Sequence, residues 1–210
     1  MNNSDIFKKG FLIKIIEKAL SLWIRSKCNK VNSLKVEIET STSFILNGYV
    51  NSSYIIGKQI NFQDILIDYV ELRSGSLSFN INLFSKELTF NKDFNINGKI
   101  NLISKELKYI LLSSKWEWLG SFLSKELLGA EKLNDLNIKG NLLSLSGIDT
   151  KGKLLKQDDF YLISKYGKLF LTNNDSSKSV FIPMDKSITF EKAVLESNKM
   201  ILYGSSQITV

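Results

Sequence analysis

Along residues 76–84 and again along 94–102 apolar and polar side chains alternate almost without interruption. Leu77, Phe79, Ile81 and Leu83 are separated by Ser78, Asn80 and Asn82, and Phe94, Ile96, Ile100 and Leu102 alternate with Asn95, Asn97, Lys99 and Asn101. A period of two belongs to a strand with one apolar and one solvated face. The same pattern predicts strands at Leu34–Glu39, Ser43–Ile56, Ile60–Leu72, Ser76–Phe84 and Phe94–Leu102. Connections holding Asn47-Gly48, Gly57 and Ser74-Gly75 predict antiparallel hairpins or sharp bends. Gly48 and Gly98, inside the runs, predict bulges or curvature. Ile60–Leu72 is long for a single strand, and long bent strands with one apolar face need something to wrap around.

Two other regions follow a helical period. From Asp5 to Asn29, Lys14, Lys18, Ser21 and Arg25 form a polar stripe, while Leu12, Ile16, Ala19, Leu20 and Trp23, flanked by Phe11 and Ile15, form a broad apolar face. At ~1.5 Å per residue this helix is about 36 Å long. It either packs on the sheet or lies at a membrane surface, since a basic face beside Trp and Phe is the composition of interfacial helices; the two coexist if one edge stays exposed. After Leu102, Ser104 is placed to cap a helix through Leu112. Ser114 with Glu117 makes a capping box for a second, which carries Trp116, Trp118, Leu119, Phe122, Leu123, Leu127 and Leu128 and stops at Gly129. Trp118 and Phe122 lie one turn apart, positioned either for core packing or to line a cavity for acyl chains. Alternation resumes at Leu136, Ile138 and Leu142, and further strands are predicted at Lys153–Lys156, Phe160–Lys165, Lys168–Thr172, Val180–Ile182, Ser187–Val194, Lys199–Tyr203 and Gln207–Val210. The expected fold is α+β in one domain over 1–210. Its N-terminal helix covers 5–29, antiparallel strands 33–102, a helix pair 104–129 and antiparallel strands 134–210, with a long curved sheet wrapped around the helices. Ser-Lys-Glu-Leu begins at Ser85, Ser104 and Ser124, but in three different structural contexts, so it is not a repeat.

Charge and chemistry narrow the function. The formal net charge is +7 and the pI about 9.3, yet arginine occurs only as Arg25 and Arg73. Nucleic-acid recognition favours the guanidinium fork, and the solvated strand positions read as Asn, Ser and Lys without interleaved aromatics. Nucleic acid is therefore not the expected partner. Cys28 stands alone, which leaves no disulfide framework or thiolate metal site. With no histidine in the chain, Ser-His-Asp and Cys-His systems and most zinc sites are excluded. No Ser-x-x-Lys, phosphate-binding loop, dinucleotide turn or EF-hand pattern occurs. The carboxylate pairs have structural readings: Glu37 and Glu39 on the solvent face of a strand, Asp64 and Asp68 within a long strand, Asp158-Asp159 in a turn. We therefore expect no catalytic residue, no metal and no cofactor. The residues after Lys8 and Lys9 do not make a secretory signal, and no run approaches the ~18 apolar residues of a spanning helix.

The stretch from Ala19 to about Leu112 resembles the LmeA-like phospholipid-binding proteins of bacteria. The likeness lies in an order of segments: a helix ending Leu22-Trp23-Ile24-Arg25, then VNSLKVEIETSTSFILNGYV, a strand ending Val70-Glu71-Leu72, and Ile96-x-Gly98-x-Ile100-x-Leu102 running into a helix at Ser104. It extends to Gly147 and, more weakly, to the C-terminal Ile182-Pro183-Met184-Asp185 and the closing strand. The resemblance implies a curved antiparallel sheet around a long helix, similar to the tubular fold of the bactericidal/permeability-increasing class, with acyl chains in an apolar groove. Actinobacterial relatives look exported or lipid-anchored. The lack of a signal or lipobox cysteine here points instead to the cytoplasm and the cytoplasmic face of a membrane. On this reading Phe11, Leu12, Ile15, Trp23, Trp118 and Phe122 contact a phospholipid or other acyl lipid, and Lys8, Lys9, Lys14 and Arg25 meet an anionic membrane surface. The alternative is a structural or protein-interaction module whose core is filled by its own side chains.

Overall fold

The computed structural model describes residues 3–82 and 87–210, without the side chains of residues 3–9, 42, 81, 82 and 87. Helix α1 (Asn3–Ser26) leads into β1 (Lys30–Glu39), the short helix α2 (Thr42–Leu46), β2 (Tyr49–Val50), β3 (Ser52–Phe62), β4 (Ile65–Ser74), β5 (Leu77–Asn82), β6 (Glu87–Phe90) and β7 (Phe94–Ile103). Helices α3 (Ser104–Leu112) and α4 (Glu117–Leu123), the latter running into a π-helical turn at Ser124–Leu128, precede β8 (Lys132–Lys139), β9 (Leu142–Ile148), β10 (Leu154–Lys165), β11 (Lys168–Thr172), β12 (Ser179–Phe181), β13 (Ile188–Glu196) and β14 (Lys199–Ile208). The fold is α+β, and every strand pairing is antiparallel. Three sheets result: β1-β3-β4-β7-β14-β13, β12-β11-β10-β9-β8 and β2-β5-β6.

Alternation along β7 and β14 separates two cores on one face of the six-stranded sheet. Phe94 and Ile96, with Ile208 opposite, join α1, α2 and the three-stranded sheet around Ile16, Leu20, Val36, Val50, Leu77 and Phe79. Further along the same face, Ile100, Leu102, Met200 and Leu202 join α3, α4 and the five-stranded sheet around Leu127, Leu145, Phe160 and Leu171, which are fully buried. Gly98 and Gly204 are direct cross-strand partners between these regions. A Cβ on Gly98 would come within 2.6 Å of the Glu71 carbonyl oxygen, and one on Gly204 within 2.4 Å of the Thr189 carbonyl oxygen. Neighbouring backbones approach so closely there that only glycine fits.

Helix α1 packs on β1, the edge strand, and engages its unpaired backbone groups. The Ile38 N–H donates to the Glu17 carboxylate at 3.1 Å, and Arg25 Nη1 donates to the Val31 carbonyl at 3.1 Å. An edge strand otherwise presents such groups to any passing chain.

Several sequence expectations give way. Residues 43–56 are not one strand. Ser41 Oγ accepts the Phe44 N–H, Asn47 Nδ2 donates to the Ser43 carbonyl, and these local bonds wind Thr42–Leu46 into α2. Residues 60–72 are likewise divided. Gln63 and Asp64, at φ +51° and +68°, form a two-residue turn between Phe62 and Ile65, so Asp64 lies in a turn and Gly57 lies inside β3. Asp64 is fixed by its N–H to Asn61 Oδ1 at 3.0 Å and by Asn29 Nδ2 at 2.9 Å. Asp158 and Asp159 are within β10 rather than a turn, because Ser144 of β9 donates to the Asp159 carboxylate across the ladder. Ser104 does not cap α3; its hydroxyl accepts the Ile138 N–H at 3.0 Å and donates to Asn137 Oδ1 at 3.1 Å, tying the helix to β8. The Ser114–Glu117 box is not formed either, and Trp116 occupies the N-cap of α4. Gly129 does stop its helix, at φ +66°, with the Ala130 N–H reaching back to the Ser124 carbonyl. Leu83 and Phe84, at the end of an expected strand, lie outside the described residues.

Candidate functional site

Amphipathicity places the first candidate groove. The buried positions of α1 are Ile16 and Leu20, four apart, and Leu12 and Ile15 precede them on the same broad face. Leu12, Ile15 and Ile16, together with Ile45 and Leu46 of α2 and Phe79 of β5, line an apolar groove of about 480 Å³, whose lining also includes Asn47, Gly48 and Asn80. Its surroundings leave large apolar side chains in water: Leu46 is 73% exposed, Phe11 65% and Phe44 49%. Lys14 and Lys18 are exposed on α1.

The residues expected from the sequence to contact lipid divide between the two cores. Leu12 and Ile15 line the groove, and Phe11 stands exposed one residue before it. Trp23 packs into the first core edge-on against Phe90, ring centroids 5.2 Å apart, with the Lys27 ammonium 5.8 Å above its ring. Phe122 packs against the second core, and Trp118 is 53% exposed beside Trp116, 6.3 Å between rings. Of the basic set, Lys14 is exposed, Arg25 is engaged with β1, and the side chains of Lys8 and Lys9 lie outside the described residues.

A second groove, of about 650 Å³, crosses the other face of the six-stranded sheet, lined by charged and aromatic side chains, Glu37, Glu39, Tyr54, Glu71, Lys99 and Tyr203 among others. Tyr54 and Tyr69 both donate to the Glu71 carboxylate, at 2.5 and 2.9 Å. These bonds, Tyr54's first, hold Glu71 below the usual carboxylate range, and the Lys99 charge adds to the effect. The same bond to Glu71 pushes the Tyr54 phenol up to about 12. Glu71 stays ionised and Tyr54 stays a donor across the neutral range, so the pair is poised to hold position rather than to exchange protons. Lys99 and Lys192 lie 5.6 and 5.8 Å from the centroid of the Tyr203 ring. The solvated face thus does interleave aromatics with lysines, contrary to the reading from sequence, but Glu37, Glu39 and Glu71 stand among them. This cluster escaped the sequence reading because it depends on the β3–β4 register, which the unseen turn at Gln63-Asp64 sets.

Among the described residues no group of three or more His, Cys, Asp or Glu could hold a metal ion, and no helix is long and apolar enough to cross a membrane. No protein-family model, curated protein or solved structure matches this chain.

Proposed function

We propose that this protein is a non-enzymatic, peripheral phospholipid-binding protein of the LmeA-like kind, working at the cytoplasmic face of a membrane. The acyl chain occupies the groove between α1, α2 and β5, and the six-stranded sheet curves around the helices in the manner of a tubular lipid-binding domain. The observation that carries the reading is the pairing of an apolar groove with apolar side chains left exposed around it at Leu46, Phe11 and Phe44. Its volume of about 480 Å³ falls within the ~300–1,000 Å³ of small-molecule sites. Exposed aliphatic and aromatic side chains near lysines suit the headgroup–acyl boundary, and each lysine brought to an anionic surface contributes ~1 kcal/mol. In this reading Phe11, Leu12 and Ile15 touch the lipid, while Trp23 packs on Phe90 in the first core. Trp118 and Phe122 belong to a second core filled by Leu127, Leu145 and Phe160, and that filling favours a structural role for the helix pair.

Native mass spectrometry of the purified chain, with binding of a fluorescent phospholipid, tests this. We expect a bound acyl lipid and at least a tenfold loss of probe affinity in Ile15→Glu, with the far-ultraviolet circular dichroism unchanged. A lipid-free chain that also ignores the probe would sink the proposal and leave the interaction module in its place.

A further inference from the structure

The β10–β11 hairpin turns through Tyr166 and Gly167, with Lys165 paired to Lys168 across it. Both turn residues are left-handed, at φ +54° and +72°. Such a turn favours Asn or Asp at the first position, because a bulky side chain at positive φ is strained. A tyrosine therefore costs the turn stability, and Tyr166 is 84% exposed, so burial does little to offset it. An outlier of this kind points to a task outside the fold. Its neighbours share the pattern: the Lys165 ammonium lies 5.0 Å from the Tyr166 ring centroid and the Lys168 ammonium 5.1 Å from that of Phe181. Beside the hairpin a groove of about 430 Å³ is floored by Leu169 and Phe190 and walled by Phe181, Met184 and Lys186. Asp185, the acidic residue of this wall, accepts the Ser187 N–H at 2.8 Å. The tip is already held in place, since the Phe190 N–H donates to the Gly167 carbonyl and the Ile182 N–H to the Leu169 carbonyl, both at 2.9 Å.

We propose that this hairpin is a separate bilayer contact, with Tyr166, Phe181 and Met184 entering the headgroup–acyl boundary of an anionic membrane and Lys165, Lys168 and Lys186 meeting its phosphates. Aromatics collared by lysines are the composition of interfacial anchors, and the excess of lysine over Asp185 selects an anionic surface. A tip pre-held by backbone bonds loses little ordering entropy on docking. The contact rests on the membrane half of the reading above and is independent of the lipid groove. It adjoins β13, at the opposite edge of the six-stranded sheet from α1, about 24 Å away at ~4.8 Å per strand spacing.

The test compares flotation with phosphatidylcholine vesicles and with vesicles that also contain phosphatidylglycerol. We expect the intact protein to prefer the anionic vesicles. Tyr166→Asn should bind them about tenfold more weakly with a melting temperature unchanged or raised, since Asn suits the turn. K165Q and K168Q should each lose about fivefold and flatten the salt dependence. A Tyr166→Asn variant that binds like the parent, or a parent that binds neither vesicle, overturns the hairpin contact. Native mass spectrometry separates the two readings. A lipid-loaded chain indifferent to Tyr166→Asn loses only the hairpin, and a lipid-free chain weakened by it loses only the groove.

Discussion

Glu71 and Glu106 place the same side chain in opposite surroundings. The phenols of Tyr54 and Tyr69 hold Glu71 below its ordinary pKa, whereas burial first, and then the nearby Asp68 charge, pushes Glu106 up. Between the depressed value and 4.5 the unfolded chain binds more protons at residue 71, so the Glu71 contribution is full above 4.5 and fades as pH falls. At Glu106 the folded chain binds more protons above 4.5, so stability is lost as pH rises through the raised value. Urea titrations should therefore separate the two variants. Glu71→Gln is expected to destabilise at pH 7 and to converge on the parent in acid, while Glu106→Gln stabilises at pH 7 and not at pH 4. Glu71→Gln should also bring the Tyr54 phenol, now about 12, back toward 10 in an ultraviolet pH titration. Ser124 is wholly buried and its hydroxyl has no hydrogen-bond partner among the described residues, so Ser124→Ala should gain ~1 kcal/mol in chemical denaturation. Alternation in the sequence identified which strand residues meet solvent but not which of them meet one another. The Tyr54–Glu71–Tyr69 cluster was therefore out of reach, whereas Leu12 and Ile15 were legible from helical spacing alone.

Among the elements, the readable ones were those whose pattern ran uninterrupted from end to end, whatever their length. The N-terminal helix, β7 and β11 lie close to where the pattern placed them, because each buries one face. What failed were short decisions made by single side chains: the caps that wind α2, and the hairpin at Gln63-Asp64, which carries no glycine. Helix α1 is legible as amphipathic, to be packed on the sheet, laid at a membrane surface, or both; it packs on β1, and Arg25 of its polar stripe bonds the edge of that strand. Glu17 does the same at Ile38. Glu17→Ala should cost ~1 kcal/mol, with hydrogen exchange at the Ile38 amide rising well beyond its neighbours. The double replacement Glu17→Ala with Arg25→Ala should self-associate in light scattering, since β1 then offers unpaired backbone.

At the scale of the molecule, two cores share one sheet, and neither has its own complete set of strands. β7 and β14 each serve both. Leu145→Ala, in the second core, should cost about 3 kcal/mol. The shared sheet leads us to expect one unfolding transition, with near-ultraviolet and far-ultraviolet signals moving together; separate transitions would mean the cores melt independently. The sequence held no trace of this sharing, because pattern identifies a strand's face and never its distant partner. β14 pairs along its whole length with β7, from Lys199 opposite Ile103 to Ile208 opposite Phe94, across about a hundred residues of chain. Local hairpins such as β3–β4 can form as soon as they are made, but that closure waits on the last pair of strands. On a growing chain the six-stranded sheet therefore stands open along β7, next to the finished α1 groove, for the time needed to synthesise everything between them. That interval is when the protein most needs a chaperone or a ligand to shield its apolar face.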